Sequence, residues 1–176
     1  VAYARRFLGA HFPRFVPAHP IAGTENSGAA AAFADLYRGR NVIITPQPET
    51  TARALRLVRM AWQRCGARIV RLEAQEHDVI FAAVSHLPHV LVFALVNALA
   101  RRPDAKKLFG FSAGGLRDTV RIAGSSPEMW RDICVANRDE LLAVLDDYED
   151  ELESVRSAIE SGDGATLERM FEHARA

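Results

Sequence analysis

The sequence predicts a short α/β segment followed by an all-α region, and two observations carry that prediction. A β-branched run NVIIT at 41–45, a helical pattern over 49–65 and a second apolar run ARIVRL at 67–72 read as strand, helix, strand. That order belongs to a parallel sheet with crossover helices. After Leu72 no further convincing strand is found, so a domain boundary is expected near residue 72, dividing the chain into 1–72 and 73–176.

Ala2 to Leu8 reads as the end of a helix, with Gly9 as its stop. The chain opens without a methionine, inside that helix, and so reads as a piece of something longer. RFVPAH at 14–19 suits a short edge strand, where Pro17 is tolerable. The turn-forming HPIAGTENSG follows, then a short helix is expected over 29–37. NVIIT is stopped by Pro46 and Pro48. In the next helix Ala52, Leu55, Val58 and Trp62 recur at helical spacing, and Gly66 is the expected cap.

The longest apolar block runs from Glu73 to Arg102 and is too long for a strand. Pro88 should bend it, because proline lacks the N–H that bonds one turn back. It is also long enough for a bilayer. Ser85, His86, Pro88, His89 and Asn97 would then sit at membrane depth, so a buried central helix is preferred. A charged linker RRPDAKK and a glycine-containing segment lead to Ser125 and Ser126, either of which can cap the next helix. Pro127 falls at the first turn, and Glu128 is placed for a capping box with Ser125. One long helix is expected from Pro127 to about Ser161, ended by Gly162 and Gly164. Leu141, Leu145, Tyr148, Leu152, Val155 and Ile159 form a seam along it, packed either against another subunit or within the chain. A last helix over 165–175 would bury Leu167, Met170 and Phe171.

Composition narrows the function classes. Nearly half of the 176 residues are hydrophobic and a quarter charged, a globular profile. Lys plus Arg and Asp plus Glu balance at 22 each, so no basic field points to nucleic acid. Cys65 and Cys134 give neither a disulfide framework nor metal spacing, which suits a cytoplasmic location. The N-terminus lacks the pattern of a signal peptide.

His19, at the end of an expected strand, is a candidate general base or a plain surface histidine. His86 and His89, spaced i, i+3, share a helix face, with His77 earlier on the same stretch. A metal site, a satisfied core pair and substrate contact are the three readings, and no cysteine or carboxylate completes a metal spacing. Arg121, between Val120 and Ile122, should meet a carboxylate, either Asp118 or one on a ligand. Trp130 suits the core or a pocket wall.

Four motifs in order carry a resemblance across nearly the whole chain. HPIAGTENSG at 19–28, HD at 77–78, SHLPH at 85–89 and GGLRDTVRIAGSSPEMWRDI at 114–133 together resemble the prephenate dehydrogenase family, with its arogenate and cyclohexadienyl relatives. The resemblance implies the C-terminal part of a Rossmann-type dinucleotide-binding domain, followed by an all-α helical dimerisation domain. It implies oxidative decarboxylation of prephenate or L-arogenate in tyrosine biosynthesis, with NAD or NADP as cofactor and a homodimer as the assembly. It implies His19 as the base, Arg121 as the carboxylate anchor, and Ser85, His86 and His89 as pocket residues. Thr24 joins the substrate site, Glu25 pairs with the arginine and gates entry, and Asp118 holds that region. Trp130 matches a tryptophan contributed from the neighbouring subunit. The glycine-rich phosphate loop, and a serine that the family places about twenty residues before the His19 motif, belong upstream of Val1, so this chain alone is expected to be inactive. GTENSG has the wrong spacing for that loop. A non-catalytic dimerisation and ligand-binding module is the alternative, and a metal hydrolase using His77, His86 and His89 a third reading.

Overall fold

The computed structural model describes residues 1–23, 28 and 31–175. By contacts it divides into two compact units, Val1–Ile80 and Phe81–Ala176. In the first, helix α1 (Ala2–Leu8) runs into a 3-10 turn (Gly9–Arg14), then strands β1 (Ala18–Pro20) and β2 (Asn41–Ile44), helix α2 (Ala52–Arg64), strand β3 (Arg68–Arg71) and helix α3 (Ala74–Phe81). The sheet order is β1-β2-β3, with β2 and β3 parallel, as the strand–helix–strand reading expects.

Alternation along β2 sets the two faces of this sheet. Val42 and Ile44 point into a core with Val16, Ala54 and Ala67, packed against Leu55, Val58 and Trp62 of α2. Three of the four residues expected on the buried face of α2 are there; Ala52 is exposed and Ala54 takes its place. The helix starts on Thr51, whose side chain accepts from the Ala54 N–H, and ends on Gly66 at φ 79°. Gly66 N–H reaches the Gln63 carbonyl at 2.9 Å and Ala67 N–H the Trp62 carbonyl at 3.1 Å, the paired closure of a Schellman motif. A side chain at Gly66 would also press on the Arg38 backbone, 3.3 Å from where its Cβ would sit.

Two expectations for this unit fail. The helix expected over 29–37 is absent from its described part: 34–39 form turns closed by i to i−3 bonds such as Arg38 N–H to Asp35 carbonyl. Phe33 is 55% exposed, and Tyr37 is anchored edge-on to Trp62 at 5.1 Å, too little packing to offset helix nucleation. The first strand covers 18–20 rather than 14–19, because the 3-10 turn around Pro13 occupies the chain up to Arg14.

In the second unit the chain stays helical from the end of α3 through a π-turn (Ala82–His86) into α4 (Leu87–Ala100). The π-turn is where Pro88 makes its mark. With no N–H at Pro88 to reach Val84, the ladder is reset one bond earlier, the Leu87 N–H reaching back five residues to Ala82. Helices α5 (Ala105–Gly110) and α6 (Gly114–Val120), a 3-10 turn (Arg121–Gly124), α7 (Pro127–Ala136), α8 (Arg138–Glu160) and α9 (Gly164–Arg175) follow. Helix α4 packs against α5, α6, α8 and the Arg121 turn. Length and composition alone would let Ala74–Ala100 cross a membrane, with an 18-residue stretch at mean hydropathy 2.2.

The single helix expected over 127–161 is broken at Asn137, which leaves helical geometry at φ −114°, ψ 34°. Its side chain donates to His86 Nδ1 at 3.1 Å, a distant contact that no local pattern announces. Ser126, not Ser125, caps α7 by accepting the Met129 N–H, and its hydroxyl donates to Glu128 at 3.0 Å. The Ser125 hydroxyl bonds the Ile122 carbonyl, so no capping box forms with it. On α8 the buried residues are Leu141 and Ala158, while Leu152 is 51% and Ile159 61% exposed. On α9 Leu167 and Met170 are half-buried but Phe171 is 61% exposed, against expectation.

Candidate active site

His19 is not at the carboxyl end of a parallel strand. It sits in the middle of β1, which runs antiparallel to β2 with His19 opposite Ile43. The reversal brings the amino end of β1 to the carboxyl end of β2, where the Thr45 N–H bonds the Pro17 carbonyl at 3.1 Å. His19 therefore still reaches the strand ends where α/β sheets bind ligands, by the opposite route to the one expected. Ile43 and Thr45, on the face away from the core, line a cleft of about 170 Å³ with His19, Ala74, His77 and Asp78.

Helix α3 begins just after β3 and so sets its first turns beside this cleft. His77 Nε2 lies 2.8 Å from His19 Nδ1, and His77 Nδ1 lies 2.8 Å from Asp78 Oδ1. The two rings meet edge to face at 5.1 Å and 65°. Burial first, and the neighbouring His77 second, hold the His19 pKa below the ordinary histidine value. His19 is accordingly neutral at working pH, the state a proton acceptor needs. From sequence His77 enters a metal option and Asp78 carries no role; the HD pair shortly after a strand is the available signal. Among the described residues no group of three or more His, Cys, Asp or Glu side chains is arranged to hold a metal ion.

In the helical unit the expected pocket residues gather on Trp130. His89 stacks on its indole at 3.7 Å and 21°, and His86 meets it edge-on at 6.3 Å and 73°. The His89 Nδ1–H donates to the Ser85 carbonyl at 2.7 Å, so in the neutral ring Nε2 is the acceptor. His86 takes the opposite tautomer, because its Nδ1 accepts from Asn137. Ser85, His86 and His89 are half-buried and Trp130 is buried, in contact with histidines of its own chain. Arg121 opens the 3-10 turn that packs on α4; it and Asp118 are both exposed, unlike the apolar enclosure that its neighbours Val120 and Ile122 suggested. Thr24 and Glu25 lie outside the described residues.

A partial parallel sheet with a histidine-lined cleft at its strand ends, followed along the chain by a helical unit, is the arrangement of part of a nucleotide-binding domain and a second, helical domain. Comparison with known proteins makes this specific. Residues 2–71 match the nucleotide-binding domain of prephenate dehydrogenase and residues 73–173 its dimerization domain. The chain belongs to the prephenate dehydrogenase family. It is 39% identical over 162 residues to the cyclohexadienyl dehydrogenase of Zymomonas mobilis, covering 91% of this chain and 55% of that one. It is 35% identical over 176 residues to the prephenate dehydrogenase of Bacillus subtilis, covering 99% of this chain and 47% of that one. A crystal structure of Aquifex aeolicus prephenate dehydrogenase, in complex with hydroxyphenyl propionate and NAD+, is 36% identical with a TM-score of 0.87, over 99% of this chain and 60% of that one. The chain thus spans about half the length of the curated relatives it matches.

Proposed function

We propose that the full-length protein is a tyrosine-biosynthesis dehydrogenase that oxidatively decarboxylates prephenate to 4-hydroxyphenylpyruvate, L-arogenate to tyrosine, or both. The observation that carries this is His19, neutral and hydrogen-bonded in a cleft at the strand ends of a family nucleotide-binding domain. His19 accepts a hydrogen bond and then the proton from the 4-hydroxyl of the substrate ring. As the C4 hydrogen departs as hydride, that oxygen's electrons form a carbonyl; the electron pair released when carbon dioxide leaves then returns through the ring to the same oxygen, which recovers a proton as the ring becomes aromatic. NAD or NADP, when bound, supplies the hydride acceptor. Among the described residues no glycine-rich loop joins a strand to a helix N-terminus, so the dinucleotide phosphates have no cradle here. The His19 cleft fits only the reactive end of such a ligand.

Arg121 anchors a substrate carboxylate through its guanidinium fork. Ser85, His86, His89 and Trp130 line the substrate pocket, Glu25 and Asp118 steady the arginine, and Thr24 joins them. We retain the division into 1–72 and 73–176, and infer a homodimer through the helical domain. Apolar surface left open on α8 and α9, at Leu152, Ile159 and Phe171, supports that assembly. The same demand for a partner subunit accounts for the apolar stretch of α4 without a bilayer. The free thiols Cys65 and Cys134 suit the cytoplasm.

The test is turnover of the full-length protein with each substrate and each dinucleotide. Activity in at least one of the four combinations is expected, and none from residues 1–176 alone. A folded, dimeric full-length protein inactive in all four would leave the dimerisation and ligand-binding module as the answer.

A further inference from the structure

We propose that Asp78 and His77 are positioning residues that fix the tautomer of His19, through a hydrogen-bonded chain running Asp78 to His77 to His19. This rests on the base role given to His19 above. The direction of the chain follows from the atoms. A carboxylate oxygen only accepts, so at 2.8 Å from Asp78 Oδ1 the His77 Nδ1 must carry its proton. In the neutral ring His77 Nε2 then holds a lone pair, and at 2.8 Å from it His19 Nδ1 must be the donor. His19 is left with its lone pair on Nε2, the tautomer that accepts a proton there. With His77 neutral, the reverse direction would set a nitrogen lone pair against the carboxylate.

The chain also bears on the proton transfer. When Nε2 of His19 takes a proton, the ring becomes cationic and its Nδ1–H bond to His77 strengthens. His77 is in turn faced by the Asp78 charge. The exposures suit the roles: the His77 side chain is 19% exposed, held between its two partners, and Asp78 is 54% exposed at the outer end.

The experiment uses the full-length enzyme with Asp78→Ala, His77→Leu and His77→Gln. Two readouts are taken: steady-state kinetics, and the His19 tautomer by nitrogen-15 NMR of histidine-labelled protein. Asp78→Ala and His77→Leu are expected to lower kcat by at least about tenfold, toward the 10⁴-fold seen when a catalytic histidine is held in the wrong tautomer. KM should be unchanged. His77→Gln, whose amide oxygen can accept from His19 Nδ1–H, should restore most of kcat. The wild-type spectrum should show His19 protonated at Nδ1, and Asp78→Ala should mix the tautomers. Unchanged kcat in both disabling variants, or a wild-type His19 protonated at Nε2, overturns the inference. If the wild-type enzyme turns over neither substrate, the functional reading fails, and the NMR arm alone still decides the hydrogen-bonded chain.

Discussion

Trp130 offers a prediction whose size can be worked from its surroundings. The residue is 8% exposed, its indole stacks on His89 and meets His86, and among the described residues its Nε1–H is buried with no hydrogen-bond partner. Burying about 150–250 Å² of tryptophan at roughly 25 cal/mol per Å² is worth about 4–6 kcal/mol. That figure refers to an extended unfolded chain and is an upper bound. Measured losses for buried Trp to Ala run at about 3–5 kcal/mol, and that is the cost expected for Trp130→Ala. Trp130→Phe keeps a ring over His89 and removes the unpaired N–H, whose burial costs about 1–3 kcal/mol. The smaller ring loses some contact area, so the net change should stay within about 1.5 kcal/mol. Urea unfolding of the full-length protein, followed by far-UV circular dichroism with m-values compared, reads both numbers. A Trp130→Ala cost under about 1 kcal/mol, the level of an ordinary substitution, or a Trp130→Phe cost equal to it, would refute the packing argument.

Three further outcomes are expected. Arg121→Ala should raise KM about 10- to 150-fold with little change in kcat, as loss of a charged hydrogen bond of about 1.5–3 kcal/mol requires; a change confined to kcat would contradict the anchoring role. Because the His19 pKa is lowered by burial and by His77, the acid limb of kcat/KM should fall below the ordinary histidine range. The unfolded chain takes up a proton there that the folded one refuses, so stability should also decline as pH drops from the ordinary value through the lowered one; a pH titration of both quantities checks the sign. Ser126→Ala should cost about 1 kcal/mol in thermal or urea unfolding through loss of the α7 cap.

What the sequence showed and what it hid follow a physical line. Strands β2 and β3, helix α2 and its Gly66 stop are written in short-range periodicity and backbone chemistry, and they appear as read. Pro88 marks where the central helix departs from regular geometry, and the form of that departure, a π-turn, depends on packing. The break at Asn137 was hidden because its cause, a bond to His86, lies 51 residues away. The direction of β1 was hidden for a like reason: nothing within RFVPAH tells which edge of β2 it will join. His19 was legible as a candidate from its motif. Its partner His77 was not, since a pairing across 58 residues is decided by the sheet and not by either neighbourhood. The exposed Leu152, Ile159 and Phe171 mark where a pattern called for burial that one chain does not supply.

The central claim is that His19 moves the substrate's proton. Its most direct test is the steady-state kinetics of His19→Asn in the full-length enzyme, on whichever substrate and dinucleotide the wild type uses. The account predicts a loss of about 10²–10⁴-fold in kcat with KM little changed. A kcat within a few-fold of wild type would contradict it.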